Sequence, residues 1–378
     1  MATVDELIAQ LGDDDPAVRA NAAEQLGELG NPKAIRRLIK SLNDDDFNVR
    51  KKVVAALVQI GRPAVRPLIK AMKNPFLSQG ATDAIAQIAD ERAIKPLIRQ
   101  LTRFGSVYRE AQFAQQGLVN IGESAIESLL AALSHHSSNL RANAIYTLIR
   151  MGDDRVVEPF IAIASNDPDG EVRSTAVFGL WQFGTERVID PLIAALSDND
   201  ARVRRTAVTG LGQLGDTRVV EYLIAMLDDP DVEVRTGAIV ALGQVGDERV
   251  VERLTTMLDD LDAEVCARAA YSLGCIGDER AVTSLISLLN DQAELLYLDR
   301  LCDAAASALA AINTPAALEA VIPWYIAELS SDHISGYHMI PQSEQAAQAL
   351  TRIGTPEALA AVEAWRTAQD SPPADDDT

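Results

Sequence analysis

The sequence predicts an all-α solenoid of about eleven stacked two-helix repeats, and three observations predict it. A unit recurs in near-copy: NDARVRRTAVTGLGQLGDTRVVEYLIAML at 199–227 is followed 31 residues later by PDVEVRTGAIVALGQVGDERVVERLTTML at 230–258. A glycine closes the first half of most units, at Gly30, Gly61, Gly122, Gly152, Gly184, Gly215, Gly246, Gly277 and Gly354, and Ala89 and Asn313 take its place in two degenerate ones. Hydrophobic residues make up 48% of the chain but aromatics only 4%, a mix of small aliphatics that suits close helix packing. A 378-residue chain would otherwise read as two or three globular domains. A repeat array removes that expectation, because each unit packs only on its neighbours.

The unit that starts at Asp200 shows how each element arises. Asp200 can accept the free amide protons of a first helical turn. Val203, Ala207, Leu211 and Leu214 then recur at spacings of four, four and three, which is one apolar stripe. Gly215 follows, where a helix end wants a residue tolerant of positive φ. Asp216 can cap a second helix with the stripe Val219, Val220, Leu223, Ile224 and Leu227. Neither helix can bury its stripe alone, so stacking must do it.

Asp recurs as a cap at Asp15, Asp46, Asp169, Asp200, Asp231 and Asp262, and Arg follows the first core aliphatic at Arg19, Arg50, Arg141, Arg173, Arg204 and Arg235. These predict a ladder of charged partners between repeats. So many like pairs are not catalytic, since an enzyme needs one site.

The pattern D-x-x-V-R…A…L-G-x-L-G-D-x-R-V-V-x-x-L-I-x-x-L resembles the HEAT-like repeats of the phycobilisome (PBS) lyase HEAT-like repeat family, over residues of roughly 12–365. The resemblance implies second helices along a concave face and first helices on the convex one. Two functions come with it. One is a non-catalytic scaffold that binds another protein along the groove. The alternative is a phycobilin lyase-like subunit or chaperone that attaches an open-chain tetrapyrrole to a light-harvesting protein, with Arg66, Lys70 and Arg99 on the bilin's propionates. The first reading needs no cofactor; the second needs a bilin.

In a repeat protein the structural columns repeat and the functional ones vary. One exposed second-helix column runs Arg36, Arg66, Lys95, Glu127, Glu158, Asp190, Glu221, Glu252, Thr283, and the column one turn later runs Lys40, Lys70, Arg99 and then Ala131, Ala162, Ala194. The groove is therefore expected to be basic over three repeats and acidic over five, and these residues are the candidate partner-binding groove. Residues 1–110 hold 17 Lys and Arg against 14 Asp and Glu, and the rest 17 against 41. All seven lysines lie between Lys33 and Lys95. Such asymmetry steers a partner and fixes its orientation. Trp181 is a possible anchor, standing where other units carry Gly27, Gly212, Gly243 and Gly274, although a Trp there also suits packing on the next first helix.

Other classes are argued against. A net charge of −21 opposes nucleic acid and anionic membranes, and the positive stretch runs straight into an acidic one where phosphate binding wants a long stripe. No apolar run reaches the roughly 18 residues of a membrane span. The N-terminus, MATVDELIAQL, is acidic where a signal peptide needs positive charge. Cys266, Cys275 and Cys302 lack metal-ligand spacing and fit small, reduced packing thiols, hence a cytoplasmic protein. His333 and His338 are not at helical metal spacing, His135 and His136 fit a surface loop, and the absence of any His-Glu pair argues against metal-dependent hydroxylases of repeat type. The expected organisation is one solenoid over 1–366, basic over 1–110, acidic and regular over 111–290, irregular over 291–366, with an insertion at 326–342 and a disordered acidic tail over 367–378. The sequence bears no mark of oligomeric state.

Overall fold

The computed structural model describes residues 2–103, 109–291, 300–331, 334–335 and 340–369. Among the described residues the chain is all-α apart from one short ladder, an α-solenoid in fold class, and it divides into two compact units, Met1–Val188 and Ile189–Thr378. Among the described residues there are eleven helix pairs, six first helices in the first unit and five in the second.

In the first unit a typical first helix has 14 residues, as in Pro16–Leu29, Phe47–Ile60, Ser138–Met151 and Gly170–Phe183. Each of these four starts on a polar cap. Asp15, Asp46, Ser137 and Asp169 accept an N–H of the first turn through their side chains. The caps at Asp200, Asp231 and Asp262 in the second unit do the same, which replaces a missing helical bond worth about 1 kcal/mol at each. Most first helices end on a left-handed residue. Gly30 (φ +59°) is the usual solution, while Ala89 (φ +54°) and Asn313 (φ +57°) hold the same conformation with a Cβ.

The second helices up to Val282–Ser287 begin with a one-turn 3₁₀ segment that the sequence stripe does not reveal, whereas Pro315–Glu328 and Pro356–Gln369 start directly as α-helix. Asp153 starts the one at Asp154–Val156, and its carboxylate accepts the N–H of Arg155. The helix proper then runs Val157–Asn166. A lone helix, Val4–Gln10, precedes the first full repeat, held by a reciprocal Thr3/Glu6 cap, with Leu7 buried. It packs mainly on the first helix Pro16–Leu29.

First helices pack on first helices, and the glycine column makes their approach possible. A Cβ at Gly27 would lie 2.7 Å from the Cα of Ala56. In the second unit a Cβ at Gly212 would lie 2.8 Å from the Cα of Ala241, and one at Gly274 2.8 Å from that of Ala308. This glycine column therefore faces the following first helix.

The regular repeats of the second unit use the helices Ala201–Leu214, Val232–Val245 and Ala263–Ile276. Two further pairs follow, Leu301–Ile312 with Pro315–Glu328 and Gln342–Ile353 with Pro356–Gln369. The last helix reaches Gln369, past the boundary expected at 366. Within the insertion, Ile334–Ser335 pairs antiparallel with Ile340–Pro341. His333, Tyr337 and His338 lie outside the described residues. Cys266 and Cys302 are buried as packing thiols, but Cys275 is exposed. Desolvation pushes the Cys302 thiol up to about 11.

The charged ladder is present, with its rungs two residues from where the caps suggested. Arg19 forks the carboxylate of Asp44 (Nε and Nη2, both 2.8 Å), Arg141 that of Asp167 (2.6 and 2.7 Å), Arg204 that of Asp229 (2.7 and 2.8 Å) and Arg235 that of Asp260 (3.1 and 3.2 Å). Each acceptor lies two residues before the next repeat's cap and also accepts that cap's N–H, as Asp44 does from Asp46 at 3.0 Å. The arginine's Nη1 donates back to its own lead-in loop, as Arg141 does to His135 O at 2.8 Å. One guanidinium thus fastens two loops, and a carboxylate two residues further on would miss the fork.

These bonds set the acid limit of the fold. Burial pushes Asp44 and Asp229 up, yet bonds from Arg19 and Arg204 and from the cap N–H groups hold both below the usual carboxylate range. The Arg155 side chain, then its N–H, holds Asp153 at about 2, and Arg218, Arg249 and Arg280 lower Asp216, Asp247 and Asp278 in the same way. Carboxylates lowered by folding stabilise it fully above their unfolded pKa, and that stability is lost as pH falls through the folded values. Melting temperature is therefore expected to hold down to about pH 4 and to fall between about pH 4 and pH 2. Relief of the negative net charge acts the other way, so a melting temperature that rises below pH 4 in a circular-dichroism series would show repulsion outweighing the ladder.

Candidate partner-binding surface

A second helix buries one stripe and leaves two columns outside. In Ile35–Ser41, Ile35 and Leu38 face inward, so Arg36 and Lys40, one turn apart, face out. Val65 and Leu68 do the same for Arg66 and Lys70, and Ile94 and Leu97 for Lys95 and Arg99. All six cations are exposed. Second helices of successive repeats pack side by side here, so the six form a strip in the first unit.

The basic and acidic columns differ in what they do. Among the described residues, none of Arg36, Lys40, Arg66, Lys70, Lys95 and Arg99 has an ion-pair partner. The acidic positions mostly pair onward to the arginine of the next 3₁₀ turn. Glu127 meets Arg155 at 3.3 Å, Glu158 meets Arg187, and in the second unit Glu252 meets Arg280 at 3.9 Å. Glu221 adds a Coulombic pull on Arg249. Asp190 is exposed on its shorter stem. These carboxylates are a second set of inter-repeat links, and that was not legible from the column alone.

Beside Arg36 and Lys70 lies an apolar hollow of about 620 Å³. Ile35, Ile39, Pro67 and Leu77 line it, with Arg36 and Lys70 at its edge. The strip therefore offers both charge and a place for an aliphatic group.

Trp181 is half-buried. Its ring meets Phe178 edge-on, with centroids 5.4 Å apart, and its Nε1 is buried with no hydrogen-bond partner among the described residues. His135 serves structure, its Nδ1 accepting the Ser137 N–H at 3.1 Å. No group of His, Cys, Asp and Glu among the described residues is placed to hold a metal ion, and none of their helices is long and apolar enough to cross a membrane.

A family model for HEAT repeats matches residues 4–76, 157–242 and 220–297, more than half of the chain. Among solved structures the fold is similar to that of Kap95p as it induces the switch loops of RanGDP to adopt the GTP-bound conformation (TM-score 0.61, 11% identity, 97% of this chain and 57% of that one). It is also similar to Kap121p bound to Ste12p (TM-score 0.60, 15% identity, 93% and 45%) and to yeast importin-β, Kap95p (TM-score 0.58, 13% identity, 97% and 57%). The chain spans about half the length of these structures, and at such identity the likeness is one of fold. No curated protein matches the sequence.

Proposed function

The chain belongs to the HEAT-repeat family, and we propose that it is a non-catalytic scaffold whose first unit binds an acidic segment of another protein along its second-helix face. The observation that carries this is the unpaired strip Arg36, Lys40, Arg66, Lys70, Lys95 and Arg99, in a chain whose other cations are largely spent on internal carboxylates. A partner's carboxylates complete the charge, and an aliphatic side chain between them fills the hollow at Ile35 and Ile39. Karyopherins of similar fold hold protein ligands, Kap121p being bound to Ste12p in one structure and to Pho4p in another, which supports a protein as the occupant.

Reversal of three exposed charges, Arg36→Glu, Arg66→Glu and Lys95→Glu, is expected to leave helicity and melting unchanged and to abolish capture of the partner by the full chain. Because exposed charges are screened within about 10 Å at 0.1 M salt, capture by the unmodified chain should also weaken as salt rises. Equal capture by the reversed variant would sink the proposal.

The bilin reading draws on the same hollow: of Arg66, Lys70 and Arg99 only Lys70 lines it, with Arg36 as the other cation beside an apolar floor that suits a tetrapyrrole and its propionates. Mixing the protein with free bilin separates the two. A shifted visible spectrum favours the pigment, and an unshifted one with the strip-dependent partner retained favours the scaffold.

A further inference from the structure

One rung of the ladder is missing, and a cleft stands in its place. Arg50 is set like the other ladder arginines: its Nη1 donates to the carbonyls of Asp44 at 2.6 Å and Asp45 at 2.9 Å. The residue nearest to the place that receives the fork is Asn74, 24 residues beyond Arg50 and three before the next helix cap, Leu77. Asn74 keeps half of the role, its Oδ1 accepting the Phe76 N–H at 3.0 Å just as Asp44 accepts that of Asp46. A carboxamide cannot take both N–H groups of a fork as a carboxylate does. Among the described residues, Nε and Nη2 of Arg50 have no acceptor.

That guanidinium faces a cleft of about 780 Å³ between the first helices of the second to fourth repeats. Phe47 and Phe76 line it while 67% and 76% exposed, with Phe113 further along. Arg50 lies over the Phe47 ring, 5.6 Å from its centroid. Lys51 and Arg109 border the cleft without ion-pair partners among the described residues. Of the bordering carboxylates, Asp44 is ion-paired by Arg19, while Asp83 accepts only from the neutral Gln87 amide, so Asp45 and Asp83 both keep their negative charge at the rim.

We infer that Arg50 receives a carboxylate from outside the chain: a Glu or Asp side chain in an extended segment of a partner protein, flanked by bulky apolar residues that cover Phe47 and Phe76. Four equivalent arginines grip a carboxylate in this geometry, so the fork's preference is set by the fold. The two aromatic faces supply the apolar contact, and Asp45 and Asp83 disfavour a run of acids. The ligand chemistry is a single carboxylate among apolar side chains, unlike the acidic stretch proposed for the second-helix strip, and the two surfaces lie on different helices.

The test uses the full chain and a fluorescein-labelled peptide amide, Gly-Phe-Glu-Leu-Gly, read by fluorescence polarisation beside its Gly-Phe-Gln-Leu-Gly counterpart. Saturable binding of the Glu peptide below about 1 mM is expected, with the Gln peptide weaker by about tenfold or more, as loss of a charge-assisted bidentate pair requires. Asn74→Asp restores the internal rung and should weaken the Glu peptide by about tenfold or more, while the variant melts no lower than the native chain. Arg50→Lys keeps the charge but loses the fork and should weaken it similarly, whereas the Arg36, Arg66 and Lys95 reversal should leave it bound. Equal affinity for the two peptides, full binding by Asn74→Asp, or no binding of the Glu peptide would overturn the inference.

Discussion

Arg141→Ala is expected to lower the stability of the first unit by about 3–5 kcal/mol, the cost of breaking a buried ion pair and leaving one charge behind. The side chains of Arg141 and Asp167 are 9% and 5% exposed. Removal of the guanidinium strands Asp167 with only the Asp169 N–H, and it frees the carbonyls of His135 and His136 as well. Urea unfolding followed by circular dichroism measures the loss. Replacement of both partners, Arg141→Met with Asp167→Leu, should return much of it, because an apolar pair of similar volume leaves no buried charge. A loss below about 1 kcal/mol for Arg141→Ala would place the rung with ordinary surface pairs.

A second large effect comes from Phe160, the largest fully buried side chain among the described residues. Phe160→Ala is expected to cost about 3–5 kcal/mol by opening a cavity. Gly179 is the test of how that cavity is walled, since a Cβ there would lie 2.7 and 2.8 Å from two Phe160 ring carbons and 3.1 Å from the Ile149 Cδ1. In the native background Gly179→Ala should destabilise by about 1–3 kcal/mol through overpacking, outweighing the 0.5–1 kcal/mol or so that alanine gains over glycine within a helix. In the Phe160→Ala background the ring is gone, so the same substitution should become stabilising. A double-mutant cycle reads this change of sign, and additive effects would show that the two residues do not share a space.

The regularity that made the fold legible also hid the exceptions. The helix pairs, the left-handed ends and the caps follow from spacing, and even Ala89 and Asn313 adopt the turn in which glycine usually stands. These features are local, so a near-copy 31 residues away reveals them. Contacts between repeats are less legible. Arg204 and Asp229 are 25 residues apart, and only folded loops show that the fork reaches Asp229 and not the cap at Asp231. The acidic column looked like a free surface because its partners, Arg155, Arg187 and Arg280, lie one repeat further along. The basic strip was legible because nothing compensates it. The Asn74 substitution was visible as a letter but had no meaning until the position's role was known.

The double grip of each ladder arginine makes the regular repeats of the second unit interchangeable. Asp229 and Asp260 occupy equivalent places 31 residues apart, so a chain spliced from residue 228 directly to residue 260 would hand Arg204 the same carboxylate at the same reach. Gly212 would then meet Ser272, the small residue that Gly243 now meets, in place of Ala241. Length in this stretch can change by whole modules without redesign of a single joint, and the array can be matched to a longer or shorter ligand by copying alone.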